Sequence, residues 1–392
     1  MSCRHRHDVA VVGGGVVGAA CALALARAGL DTVLLEARAP AAWQRDRPDL
    51  RVFAFAPDNA ALFERLGVWD GVRRARAHPY RRMRVWDAAA GDELCFDADR
   101  YGRESLGWII ENGLLIDRLW AALPGAGVEV RCPADVEAFD HDDDSVQLRL
   151  ADGGRVAARI AVAADGAASA LRRLAGIGIT RHDYRQRGVV GYVATELSHE
   201  DTAWQRFLPG GPLAFLPCGD GSSSIVWSLP EVEAQHVLAL DDVQFGEALT
   251  RAFDARLGAA RPLTARAAFP LRRQLADTLL AGRVLLVGDA AHVVHPLAGQ
   301  GVNLGLRDVA ALADAVAAAR ARGVDWASPH RLQRWARRRR SEDTLAAWSF
   351  DGINRAYSND ALLPTLLRGH ALGLAGRLPP LARALWRHAS GT

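Results

Sequence analysis

The chain of 392 residues contains no lysine; all 48 of its basic residues are arginine. No side chain can therefore form a Schiff base with a carbonyl substrate, and no P-loop lysine is available. Cysteine is sparse as well. Cys3, Cys21, Cys95, Cys132 and Cys218 are scattered, with no Cys-x-x-Cys pair, which speaks against a disulfide framework or a structural zinc site and fits a reducing cytoplasm. No run of about twenty apolar residues occurs, so a membrane-spanning helix is not expected. Net charge is low, +3, which argues against nucleic acid as a partner. The opening MSCRHRHD leads into a glycine-rich turn rather than a signal peptide, so a cytoplasmic location is expected.

What is present is an alternation of buried strands, glycine turns and alanine-rich helices, enough for two or three domains or one interleaved unit. Asp8–Val12 reads as a buried strand, Val16–Ala28 as a helix closed by Gly29, and Thr32–Leu35 as a second strand ending at Glu36. Helices are expected at Pro57–Leu66, Asn112–Leu123, Gln244–Leu257 and Gly305–Ala321, and from Arg334 to the end with breaks at the prolines. Strands are expected within Arg81–Phe96 and at Val128–Arg131, Val146–Leu150, Arg155–Ala163 and Arg283–Val287. Asp140–Ser145 is a solvated hairpin tip. Gly188–Leu229 has the texture of an antiparallel sheet set into the first domain.

Three segments carry chemistry. Gly13-x-Gly15-x-x-Gly18 lies between strand and helix with Glu36 at the next strand end, an arrangement for a dinucleotide pyrophosphate and ribose. Asp165-Gly166 ends a strand and by itself is an ordinary turn. Gly288-Asp289 ends another strand and runs through His295 and Pro296 into Gly299-Gln300-Gly301-Val302-Asn303, whose amides at a helix start can stabilise negative charge on a reduced ring. His292 and His295 form His-x-x-His, but the glutamate of a zinc-protease helix is lacking, so no metal is expected. The run Arg337–Arg340 is a solvated face or pairs with Glu342 and Asp343; contact with acidic lipid is the alternative. The tail from Leu362 to Trp386 reads either as helices covering the domain or as a helix lying on a membrane or partner.

The order and spacing of these three fingerprints resemble the single-component FAD-dependent aromatic hydroxylases of the para-hydroxybenzoate hydroxylase fold, over essentially the whole chain. HPYRRMRVWD (His78–Asp87), LGWIIEN (Leu106–Asn112), GDAAHVVHPLAGQGVNLGLRDV (Gly288–Val309) and FDGINRAYSND (Phe350–Asp360) narrow the resemblance to the ubiquinone-biosynthesis hydroxylases. The resemblance implies an α/β fold: a Rossmann-like FAD-binding domain (1–75, 100–185 and 270–345), an inserted β-sheet substrate domain (76–99 and 186–269) and a C-terminal helical region (346–392). It implies a monooxygenase in which NADPH or NADH reduces FAD, the reduced flavin captures O2 as a C4a-hydroperoxide, and the ring of a polyprenylated phenol or quinol attacks it. By the same resemblance Gly13, Gly15, Gly18 and Glu36 hold the ADP half of FAD, Arg51 its phosphates, and Asn112 a further contact. Asp165 supports FAD and NAD(P)H, Asp289 the ribityl chain, and Gly299, Gln300, Gly301 and Asn303 the pyrimidine edge. Pro296 faces the substrate hydroxyl, and His295 is the candidate to orient or deprotonate it. Other quinone-biosynthesis proteins and the inner-membrane surface are the contacts such a substrate would add. A flavin hydroxylase of a soluble aromatic, a flavin dehydrogenase acting on an isoprenoid and a non-enzymatic assembly subunit stay open as alternatives.

Overall fold

A computed structural model of the chain describes residues 5–88, 93–294 and 301–357. Its first layer is an eight-stranded sheet with a parallel centre in the order Val284–Leu286, Arg155–Ala163, Arg6–Val12, Thr32–Leu35 and Glu129–Arg131. The middle strand is apolar on both faces because helices cover both sides; Val9, Ala10 and Val11 are wholly buried. The helix Val16–Arg27 is mostly alanine, valine and leucine. Its small side chains let it pack closely against the helix Gly301–Ala321. The expected Asp140–Ser145 tip joins the antiparallel strands Val136–His141 and Val146–Leu150. The Asp142 carboxylate accepts the N–H groups of Asp144 and Ser145 at 2.8 and 2.7 Å, closing the turn locally.

The second layer is a nine-stranded, largely antiparallel sheet. Its main path runs His292–Val293, Ala267–Ala276, Ile179–Thr195, Ser223–Pro230, Gly211–Pro217, Thr202–Leu208, Arg82–Asp87 and Glu93–Asp97. Ile179–Thr195 crosses this sheet in one run of 17 residues. Its register shifts between Asp183 and Gln186, around Arg185 at φ 53°, which bends the strand as a bulge does. The helices Glu231–Ala239 and Asp242–Ala252 cover one face over a core of Trp86, Trp204, Phe215, Trp227, Phe245 and Phe253. The opposite face looks toward a small sheet of Val52–Phe55, Gly107–Glu111 and His78–Tyr80. Of the segments near the expected limits at 76–99 and 186–269, residues 78–80 pair with Gly107–Glu111 in the small sheet, and residues 179–183 are already paired in the antiparallel sheet. The helix Pro329–Tyr357 ends the described chain, and the tail from Leu362 lies outside it.

Candidate active site

The three fingerprints meet at the carboxyl ends of the parallel strands. Gly13 follows Arg6–Val12 at φ +104°, and a Cβ there would lie 2.4 Å from the Ala164 carbonyl oxygen. Only glycine fits that conformation and that contact, so the Asp165-Gly166 turn seats directly on the N-terminal glycine turn. A Cβ on Gly18 would lie 1.9 Å from the Gly13 oxygen, which is how helix and turn come into contact. Gly15 differs: nothing stands within 4 Å of its Cβ position, and no side chain caps the helix Val16–Arg27 behind it. Open space at an uncapped helix N-terminus is what a pyrophosphate requires. One Glu36 oxygen accepts the Gly14 N–H and the other the Arg38 N–H at 3.0 Å. Trp120, which the sequence reading did not single out, donates its indole N–H to the Gly14 carbonyl at 2.7 Å.

Asp165 acts on the protein's own turn. Its carboxylate accepts the Ser169 hydroxyl at 2.5 Å and the N–H groups of Ala170 and Leu171 at 2.7 and 3.1 Å, capping the helix Ala170–Leu174. Asp289 sits in the 3-10 turn Gly288–Ala290. It is open to solvent yet crowded by protein, as a cleft-wall residue is; that crowding pushes its carboxyl above the usual range, while His292 and the Arg51 guanidinium pull it back. Arg51 is thus brought into electrostatic reach of Asp289, and its carbonyl accepts the N–H of Asn112, the first residue of the helix Asn112–Ala122, at 2.9 Å.

Gly301 opens the helix Gly301–Ala321. At Asn303 the backbone amide is the group expected at the pyrimidine edge, and the side chain holds the helix in place. The side chain is wholly buried, accepts from Ala56 N and Asn59 Nδ2 at 3.0 and 2.6 Å, and donates to the Ala54 carbonyl at 2.8 Å. It ties the helix to the strand Val52–Phe55. His295, Pro296, Gly299 and Gln300 lie outside the described residues.

Between the small sheet and the antiparallel sheet is a cavity of about 320 Å³, with Val52, Ile109, His78, Tyr192, Cys218 and Glu111 in its wall. Glu111 is buried and fully engaged: it accepts from Arg76 at 2.8 Å, the Trp43 indole at 3.0 Å and Asp49 N at 3.1 Å. Burial pushes the Tyr192 phenol up, and the Cys218 thiol up to about 12, so both stay neutral. Asp201 Oδ1 lies 3.0 Å from His78 Nε2, which places the ring proton on Nε2 and leaves Nδ1 a lone pair beside Gly219. Burial lowers the His78 pKa against the pull of Asp201, so the imidazole is a free base at neutral pH. None of the cavity residues was a candidate from the sequence; their partners are too distant along the chain to be read from local pattern.

Comparison with known proteins places this geometry in a family. A family model described as the FAD binding domain matches residues 6–346. The chain is 38% identical over 386 residues to 3-demethoxyubiquinol 3-hydroxylase of Escherichia coli (strain K12), covering 98% of each chain. It is 38% identical to ubiquinone hydroxylase UbiL of Rhodospirillum rubrum, covering 98% of this chain and 90% of that one. Its fold is similar to the crystal structure of p-nitrophenol 4-monooxygenase from Pseudomonas putida DLL-E4, with a TM-score of 0.79, 21% identity and 98% of both chains covered. The open glycine turn, the uncapped helix and the cleft carboxylates fit FAD, and the chain belongs to the FAD-binding family of aromatic-ring monooxygenases.

Proposed function

We propose that this chain hydroxylates the aromatic ring of a polyprenylated phenol or quinol in ubiquinone biosynthesis, with O2 as oxygen source and NADPH or NADH as reductant. The observation that carries this reading is the 38% identity, over nearly the full length of both chains, to two hydroxylases named for ubiquinone intermediates.

When bound and reduced, FAD supplies the O2 activation and oxygen transfer that no side chain can perform. Gly13, Gly15, Gly18 and Glu36 would hold its ADP half, and Arg51 and Asp289 the region between phosphates and ring. Asp165 and Asn303 shape the turn and the helix that line the site. The cavity walls then do the rest. Val52 and Ile109 give the aromatic ring an apolar seat, and Arg76 and Glu111 are paired with each other. A ring hydroxyl placed against His78 gives its proton to Nδ1, leaving an electron-rich phenolate. Asp201 keeps the other ring proton on Nε2 and offsets the positive charge that develops on the imidazole.

A prenylated substrate resides in a bilayer, so peripheral contact with the inner membrane and with other quinone-biosynthesis proteins belongs to the same proposal. No helix among the described residues is long and apolar enough to cross a membrane. The test is mass spectrometry of quinone lipids from source cells lacking the gene. A prenylated phenol short of one ring oxygen is expected to accumulate. A normal quinone pool with no intermediate, in cells with no second hydroxylase of this family, would overturn the reading.

A further inference from the structure

The residue that shapes the Gly288–His292 turn is not within it. Asp308 lies two turns into the helix Gly301–Ala321 and is wholly buried. Its Oδ2 accepts the Gly288 N–H at 3.0 Å and faces His292 Nε2 at 2.7 Å. One carboxylate oxygen therefore grips both ends of the five-residue turn that carries Asp289. The other oxygen, Oδ1, accepts from Arg339 Nε at 2.7 Å. Arg339, on the terminal helix Pro329–Tyr357, is itself buried; it also reaches Asp343 Oδ1 at 2.7 Å and Glu342. Arg338 beside it is exposed and pairs with Glu342, so the four-arginine run divides into one buried clamp and a solvated face.

We infer that Asp308, held by Arg339, is a positioning residue for FAD: it fixes the turn that presents Asp289, and through it the terminal helix sets how tightly the cofactor is held. The chemistry is that of charge-assisted hydrogen bonds in a dry interior, which are short, directional and costly to leave half-made. Asp308 is wholly buried behind the turn. It acts through the two residues it grips, as outer-shell groups orient the ligands of a bound ion. Arg339 thereby ties the helix Pro329–Tyr357 to this strand end, and Asp343 on the same helix lies 3.6 Å from His292 Nε2. The inference rests on FAD binding by this chain and is independent of which ring is hydroxylated.

The experiment is FAD titration of apoprotein prepared from the purified holoenzyme, followed by flavin fluorescence quenching and by the visible circular dichroism of the bound ring. Arg339→Met and Asp308→Asn are expected to weaken FAD binding roughly ten- to a hundred-fold and to alter the dichroic band, because each removes a hydrogen bond to a charged group. Arg339→Lys, which keeps the charge but not the fork, is expected to fall between them and the unaltered chain. Arg338→Met is expected to bind FAD normally. Leu312→Ala, which hollows the buried face of the same helix, shows how far loss of stability alone moves binding. Should Arg339→Met and Asp308→Asn bind FAD as Leu312→Ala does at equal loss of melting temperature, the clamp is merely structural and the inference is overturned. If Arg339→Met fails to fold, Arg339→Lys decides: normal affinity with an unchanged flavin spectrum overturns it equally.

Discussion

The nucleotide-binding end and the cavity are built from opposite materials. At the glycine turns the working groups are backbone N–H and C=O, and side chains contribute chiefly by being absent: Gly13 and Gly18 could not carry a Cβ, and Gly15 leaves its space open. In the cavity the working groups are side chains brought together from distant segments: His78 with Asp201, and Glu111 with Arg76, Trp43 and the Asp49 amide. A backbone site is local and is lost if one atom is added. A side-chain site can lose a member and keep its shape. The cofactor end should therefore fail as a unit, whereas the cavity should fail in function before it fails in structure.

The largest expected effect is at the first. Gly18→Val drives a branched side chain into the Gly13 carbonyl, and the protein is expected to be insoluble or to purify without flavin; yellow, stoichiometric holoenzyme would break the comparison. His78→Ala should do the reverse. Losing a positioned proton acceptor is expected to lower kcat about a hundred-fold, with FAD affinity and melting temperature little changed, and the loss should shrink as pH rises toward the phenol's own ionisation. A variant that loses flavin instead would make His78 part of the cofactor end.

A third prediction concerns pH. Burial works against a charged His292, but the Asp343 and Asp308 carboxylates outweigh it and lift its pKa to about 9. A histidine raised above its unfolded value of about 6.5 stabilises the fold fully below that pH and loses the contribution as pH climbs through 9. The melting temperature of the apoprotein is thus expected to decline between pH 7 and 10. His292→Asn should flatten that decline; an unaltered slope would place its cause elsewhere. The smallest effect is expected at the rim: Arg338→Met removes an exposed pair and should change stability by no more than about 0.5 kcal/mol.

The same contrast explains what could be read from the sequence. Thr32–Leu35, Val146–Leu150 and Arg155–Ala163 are found where expected, because an apolar run bounded by turn residues specifies a buried strand locally. The FAD fingerprints were legible for the same reason, since turn, helix start and strand end lie within a few residues of one another. Val52–Phe55 and Gly107–Glu111 escaped notice as strands: each is short, and each is defined by pairing with segments distant along the chain. The Asn303 side chain binds Ala54, Ala56 and Asn59, a partnership no local pattern records. The buried clamp at Arg339 was half-visible, since pairing with Glu342 and Asp343 follows from helical spacing, while Asp308 enters only through packing of two helices.

The most direct test of the account as a whole is oxygen incorporation. Purified holoenzyme, NADPH or NADH, and a prenylated phenol lacking one ring oxygen would be incubated under 18O2, and the extracted lipid examined by mass spectrometry. The account predicts a product heavier by one labelled oxygen on the ring, formed only with flavin bound. Product oxygen drawn from water, or reductant consumed with release of peroxide and no ring hydroxylation, would contradict it.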